Sequence, residues 1–208
     1  MVKLAGPCMS LDASGQLGET LVFSKWKGRN YARKFVVPAN PKSAGQTGLR
    51  AMFKFLSQAW ASLTAGNKAT WEELAAANSY STFNAYMEKN MERWRTYESP
   101  TQEWPAAEAH AGTTVATLVT TGGENKVDVS GTITSGTNQW GVAIFRSTAE
   151  ITTPSWDNVV AVLPTAGGTT FTWVDSPLDA GTYHYRAAAI SDDGLIGTVK
   201  ADQTAVVT

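Results

Sequence analysis

The spacing of apolar positions changes twice along this chain, and each change marks a different kind of structure. Two β-prone runs, residues 20–26 and 30–37, flank Lys27-Gly28-Arg29. Gly28 can take the positive φ that a tight turn requires, so these runs predict a β-hairpin. Pro38 and Pro41 then block continuation of either strand or helix. From Ser43 the period lengthens. Leu49, Met52, Phe53, Leu56, Trp60 and Leu63 fall on one helical face, with Arg50, Lys54 and Gln58 on the polar side. Ser43 and Gln46 have the spacing of a capping box. Residues 64–67 break this helix. Trp71, Leu74 and Ala75 mark a short second one that ends at 78–81. Phe83, Tyr86, Met87, Met91 and Trp94 mark a third, running to about Tyr97.

After residue 112 the period is two. Strand-like runs at 115–120, 126–133, 139–146, 159–163, 169–174, 182–190 and 196–205 are separated by Gly, Asn, Asp and Pro. Seven short strands at this spacing predict a β-sandwich. Between the two patterns lie Pro100, Pro105 and a run of small residues at 106–112, which reads as an interdomain linker. The expected fold class is therefore α+β in two domains. A hairpin with three helices occupies 1–100, a Pro/Ala linker 101–112, and an all-β sandwich of the immunoglobulin-like kind 113–208. An isolated hairpin is marginal in water, so it must pack on the helices or on another chain.

Composition sharpens this picture by what it excludes. The chain has 208 residues, 43% hydrophobic and only 17% charged, which is inconsistent with a charge-driven disordered segment. No apolar run reaches the roughly 18 residues of a membrane-spanning helix, so no membrane partner is expected. The start of the chain lacks the charged and apolar regions of a secretory leader. Leu4-Ala5-Gly6 before Cys8 has the flavour of a lipidation site, but Pro7 interrupts it, and Cys8 is read as a small reduced side chain. One cysteine and two histidines, His110 and His184, leave no basis for a disulfide framework, a cysteine zinc site or histidine-dependent catalysis. Asp192-Asp193-Gly194 is not followed by a calcium loop. Gly122-Gly123 and Gly167-Gly168 read as turns between strands rather than phosphate loops. No catalytic residue, metal or cofactor is expected, and the chain is read as non-enzymatic.

Charge is divided unevenly. The net −1 combines +6 on residues 1–98 (13 Lys/Arg, 7 Asp/Glu) with −7 on residues 99–208 (4 Lys/Arg, 11 Asp/Glu). From Thr20 to Trp71 nine Lys/Arg occur with no Asp or Glu. Lys25, Trp26, Lys27, Arg29, Tyr31, Arg33 and Lys34 cluster in or beside the hairpin and form the candidate docking face. An acidic protein surface is the preferred partner. A solvated face and phosphate-plus-stacking contacts with nucleic acid are the alternatives. Trp60, Trp71 and Trp94 are read as helix core. Trp26, Trp104 and Trp156 are candidates for contact surfaces, which leaves a carbohydrate-binding adhesin as a further alternative.

Two resemblances rest on particular residues. Leu178-Asp-Ala-Gly-Thr-Tyr183-His-Tyr185-Arg-Ala-Ala-Ala189, followed by Ser191-Asp-Asp-Gly194, resembles the end of strand E through strand F of fibronectin type III domains. That resemblance implies that Tyr183 is the corner tyrosine, its hydroxyl bonding back to the main chain, and that Trp140 or Trp173 is a core tryptophan. Trp26-Lys27-Gly28-x-x-Tyr31-x-Arg33, the Asn40-Pro41 step, Gln46-x-x-x-Arg50-x-x-Phe53, and Trp60-Ala-Ser-Leu-Thr64 before Trp71 resemble a group of small bacteriophage proteins found among virion structural genes. This second resemblance, over about residues 4–95, implies a virion component assembled in the bacterial cytoplasm. Its partners would be major capsid or tail and neck subunits, and it would be present in many copies or as a homo-oligomer. A capsid decoration or head accessory role comes first and a tail or head–tail connector role second.

Overall fold

The structure is a computed structural model and describes residues 2–4, 15–37, 43–107, 113–134, 139–165, 168–191 and 198–208. It divides into two compact units, Met1–Pro41 and Lys42–Thr208.

The first unit is one antiparallel sheet. Strands β1 (Val2–Leu4), β2 (Gly15–Leu17), β3 (Leu21–Trp26) and β4 (Arg29–Lys34) lie in the order β1-β4-β3-β2. The expected hairpin is β3–β4. Its connection is two residues, Lys27 (φ 48) and Gly28 (φ 76), with Trp26 paired to Arg29. Positive φ at both central positions matches the twist of the flanking strands, which is why this turn closes tightly. None of residues 15–37 is buried.

The second unit contains both the helices and the sandwich, so the expected boundary at 101–112 is corrected. Helices α1 (Ala44–Ser62), α2 (Ala65–Ala69), α3 (Glu72–Asn78) and α4 (Thr82–Arg95) are four rather than three, because the break at Thr64 starts a short helix of its own. The Thr64 hydroxyl accepts from the Asn67 amide at 3.1 Å, and Ser81 caps α4 through the Asn84 amide at 3.2 Å. Ser43 makes no side-chain cap, so the anticipated capping box does not form.

Strands β5 (Val115–Gly123), β6 (Lys126–Ile133), β7 (Gln139–Ser147), β8 (Val159–Pro164), β9 (Thr170–Asp175), β10 (Gly181–Ser191) and β11 (Gln203–Val207) form two sheets, β11-β10-β7-β8 and β5-β6-β9. All seven expected strands are present. The last is Gln203–Val207; residues 198–202 of the expected run are not strand, and residues 196–197 lie outside the described residues. Gly122 and Gly123 end β5 rather than forming the turn, which is made by Glu124 and Asn125 (φ 53). The glycine at 122 is needed because a Cβ there would come within 1.8 Å of the Val206 carbonyl oxygen.

The four-stranded sheet is covered on both faces. Val142, Ile144, Tyr185, Ala187 and Ala189 face the other sheet. Ala143, Phe145, Ala188 and Ile190 face the helices, with Met52, Phe55, Tyr86 and Trp94 packed over them. Successive side chains on a strand point to opposite faces, so the unbroken buried run Ala187–Ile190 requires a layer on each side. The helix–sheet approach is close. A Cβ at Gly48 would lie 2.3 Å from the Trp156 carbonyl oxygen, and Phe55 meets Trp140 edge-on with ring centroids 5.0 Å apart.

This packing rotates α1 from its expected orientation. Gly48, Met52, Phe55, Leu56 and Ala59 are buried, whereas Phe53 is 52% exposed. The helix sits between the sheet and α4, so its buried stripe is wider than the one face that periodicity picks out. The stretch read as a linker is also packed. Asn90, fully buried, donates to the Thr101 carbonyl at 3.0 Å and accepts from the Thr101 amide at 2.7 Å. Trp71 Nε1 donates to the Gln102 carbonyl at 3.0 Å, the Trp104 amide donates to Thr70 Oγ1 at 3.0 Å, and Ser99 Oγ donates to the Ser191 carbonyl at 3.1 Å. Residues 108–112, the remainder of the expected linker, lie outside the described residues.

Two outcomes follow from this packing. Gly48→Ala gains helix propensity but forces the backbones apart. We expect a net loss of about 1–3 kcal/mol in urea unfolding, with helical and sheet probes shifting together. Burial raises Tyr97 to about 12 and raises Tyr86 and Tyr185 further. Tyrosines of the unfolded chain ionise near 10. Their folded-state stabilisation is therefore complete below pH ~10 and is lost as pH rises above it. Unfolding followed by circular dichroism between pH 9 and 12 (on the order of these tyrosine pKa values) should show stability falling.

Candidate docking face

The seven residues of the candidate face are divided by the register of β3 and β4. Residues directly opposite one another in an antiparallel pair share a face. Trp26↔Arg29, Ser24↔Tyr31 and Val22↔Arg33 place Trp26, Arg29, Tyr31 and Arg33 together on one side. Leu21↔Lys34, Phe23↔Ala32 and Lys25↔Asn30 place Lys25 and Lys34 on the other, beside Leu21, Phe23 and, through its pairing with Leu21, Leu17. Lys27 occupies the turn, its Nζ 4.9 Å from the Trp26 ring. The structure thus brings four of the seven to one surface and sets two others on the reverse.

The two surfaces differ in chemistry. The first is aromatic and cationic, with Arg29, Tyr31 and Arg33 at alternate positions of one strand and Trp26 67% exposed at its end. The small Ser24 opposite Tyr31 leaves the tyrosine ring uncovered by its cross-strand neighbour. The second surface is apolar in the middle and cationic at its margins. Glu19 is the one carboxylate among residues 15–37, against Lys25, Lys27, Arg29, Arg33 and Lys34. Either surface suits an acidic partner. The first could also stack planar groups.

The tryptophans sort by environment. Trp71 and Trp94 are fully buried, and Trp60 is half-buried against Phe83 and Tyr86. Trp104 packs on Trp71 with centroids 5.7 Å apart. Trp156 lies under α1 at Gly45 and Gly48. Of the three candidates for contact surfaces, only Trp26 is exposed; Trp104 and Trp156 are half-buried against the helical core. Trp140 is the core tryptophan, though it faces the helices, and Trp173 is half-buried at the edge of the sandwich.

Titratable groups in the sandwich are structural in their contacts. Arg146 Nη1 donates to both oxygens of the buried Asp175, at 2.9 and 2.8 Å, and Tyr185 donates its hydroxyl to Asp175 Oδ2 at 2.9 Å. This cluster ties the two sheets together across β7, β9 and β10. His184 Nδ1 lies 2.6 Å from Asp202 Oδ2. Tyr183 donates to the Asp179 carbonyl at 3.0 Å, the corner contact that the resemblance implied. No group of three or more metal-ligating side chains occurs among the described residues. Cys8, His110 and Asp192-Asp193-Gly194 lie outside them.

Neither a protein-family model nor a curated protein matches the chain. Solved structures similar to it include an Fn3-like protein from Clostridium thermocellum (17% identity, 48% of this chain and 96% of that one, TM-score 0.36). The fibronectin(III)-like modules of Clostridium thermocellum CbhA are similar at 18% identity over 46% of this chain and 93% of that one, with TM-score 0.34. A family 76 glycoside hydrolase from a bovine Bacteroides thetaiotaomicron strain is similar at 17% identity over 45% of this chain but only 20% of its own, with TM-score 0.36. The chain contains a fibronectin type III-like sandwich, a statement that rests on its own strand order and tyrosine corner.

The two-residue turn governs how the aromatic and cationic side chains align. Gly28→Val places a branched side chain at φ 76. We expect it to cost the hairpin at least ~1–2 kcal/mol, seen as accelerated exchange of the β3 and β4 amides with the Lys42–Thr208 amides unchanged.

Proposed function

We propose that this chain is a non-enzymatic structural component of a bacteriophage particle, with the Met1–Pro41 sheet docking on an acidic surface of a neighbouring virion subunit and the sandwich carried outward. The observation that carries this reading is the exposure of the β2, β3 and β4 side chains. None of residues 15–37 is buried, yet Leu17, Leu21 and Phe23 lie on one face and Trp26 and Tyr31 on the other. A sheet with an apolar face gains its stability by covering that face with another element. The cations around it favour an acidic partner, set the register and speed encounter. The Trp26-Lys27-Gly28-x-x-Tyr31-x-Arg33 motif supports the virion setting. Capsid decoration or a head accessory role is the first placement, tail or head–tail connector the second, in many copies on the particle.

A second reading is favoured by one observation. Arg29, Tyr31 and Arg33 alternate along one exposed strand face beside Trp26, an arrangement that could hold single-stranded nucleic acid by phosphate contact and stacking.

One experiment separates these readings. Lys25→Glu, Lys27→Glu and Arg33→Glu together should lower occupancy on purified particles at least about tenfold, corresponding to ~1.4 kcal/mol, with thermal unfolding of the sandwich unchanged. Mass spectrometry of the particles gives the occupancy. Unchanged occupancy, or absence of the wild-type chain from particles, overturns the docking proposal. Affinity for single-stranded DNA that falls steeply with salt would move the assignment to nucleic acid.

A further inference from the structure

We infer that the Lys42–Thr208 unit carries a separate docking surface for an acidic peptide segment of a partner protein, a segment with apolar anchors on both sides of its carboxylates. This inference does not rest on the docking of the Met1–Pro41 sheet.

The centre of the surface is a cationic ridge. Arg50 and Lys54 are one helical turn apart on the outer side of α1, and such i, i+4 side chains are neighbours. On one flank, α1 and the edge strands β8 and β9 enclose an open cleft of about 410 Å³, with Ala51, Val160, Leu163 and Trp173 among its walls. On the other flank is a shallow, almost wholly apolar depression of about 280 Å³ formed by Leu49, Phe53 and Met91. Arg50 and Lys54 line both depressions, and among the described residues no Asp or Glu lines either.

Two further features mark this side as built for contact. The opposite edges of the two sheets are joined: the Thr208 amide donates to the Gly123 carbonyl at 3.3 Å, the Asn125 amide to the Thr208 carbonyl at 3.2 Å, and Thr120 Oγ1 to the Thr204 carbonyl at 3.1 Å. Among the described residues β8 and β9 have no such pairing, and half-buried Trp173 stands at the gap. Phe53, exposed although its neighbours Met52 and Phe55 are core, gives the second depression a large aromatic wall.

The shape and charge choose the occupant. Two open depressions sharing a wall suit a linear segment better than a small molecule, which is normally enclosed over most of its surface. Two cations flanked by apolar walls suit carboxylates between apolar anchors. Pro164 ends β8, and the register shift between Ile144 and Phe145 leaves Val160 of β8 as an extra residue. Such features blunt edge pairing, so side chains rather than an added strand would hold the segment.

The test is selection of random peptides displayed against the immobilised full-length chain, followed by fluorescence anisotropy of the selected peptides in solution. Enrichment of Asp/Glu pairs flanked by Leu, Ile or Phe is expected. Affinity should fall at least about tenfold in Arg50→Glu/Lys54→Glu and in Phe53→Ser, and should weaken with salt. It should be unchanged in Lys25→Glu/Lys27→Glu/Arg33→Glu, which separates this surface from the docking sheet. Three results would each overturn the inference: no enrichment, enriched peptides without acidic residues, or equal affinity in the two ridge and groove variants. Dimerisation of the chain that Phe53→Ser abolishes would also overturn it, by naming a second copy as the occupant.

Discussion

The contact between α1 and the outer face of the four-stranded sheet governs the rest of the Lys42–Thr208 unit. Gly48 lets the helix backbone sit against the Trp156 carbonyl, and Phe55 closes over Trp140. Once the helix is there, Ala143, Phe145, Ala188 and Ile190 are core rather than surface. A sandwich without the helical layer would expose that row to water, at about 25 cal/mol per Å² of apolar area. The helices depend on the sheet equally, because Met52, Phe55 and Trp94 are covered in the same cluster. Helices and sandwich are therefore one cooperative body.

Polar groups inside this body are matched rather than avoided. The Asn90 side chain pairs with the Thr101 main chain as a strand neighbour would, which lets an irregular segment run through a buried position. Asp175 is buried but accepts three charge-assisted or hydroxyl hydrogen bonds from Arg146 and Tyr185. Satisfied in this way, a buried carboxylate is tolerated; losing one partner would leave a charge without compensation.

The Met1–Pro41 sheet obeys the opposite rule. Its register is well specified by a two-residue turn and by alternation, but none of residues 15–37 is buried. The apolar residues and cations of residues 15–37 are exposed or half-buried, the combination expected of a surface completed by something else. The Arg50–Lys54 ridge repeats that combination on a smaller scale. In both places cations of the first hundred residues border exposed apolar side chains, while most of the chain's carboxylates lie in the second half.

Local features were legible in the amino-acid sequence. The Lys27-Gly28 turn, the break at Thr64, the seven strands and the Tyr183 corner all depend on residues close together in the chain, so periodicity and turn chemistry suffice to find them. The division of charge was legible as well. The layer order was not. Pro100, Pro105 and the alanines have the composition of a linker, and only the positions of Asn90, Trp71 and Thr70 in three dimensions turn residues 99–104 into a packed strap. Phe53 and Phe55 are equally apolar, and which one is buried depends on how many surfaces α1 touches. The glycines at 45 and 48 and the unbroken run 187–190 carried the signal of a second covering layer, but neither names the element that supplies it. Chain-local physics determined the elements of this protein. Which elements share a core was decided by long-range burial, because a helix or strand face is complete only when its neighbour is in place.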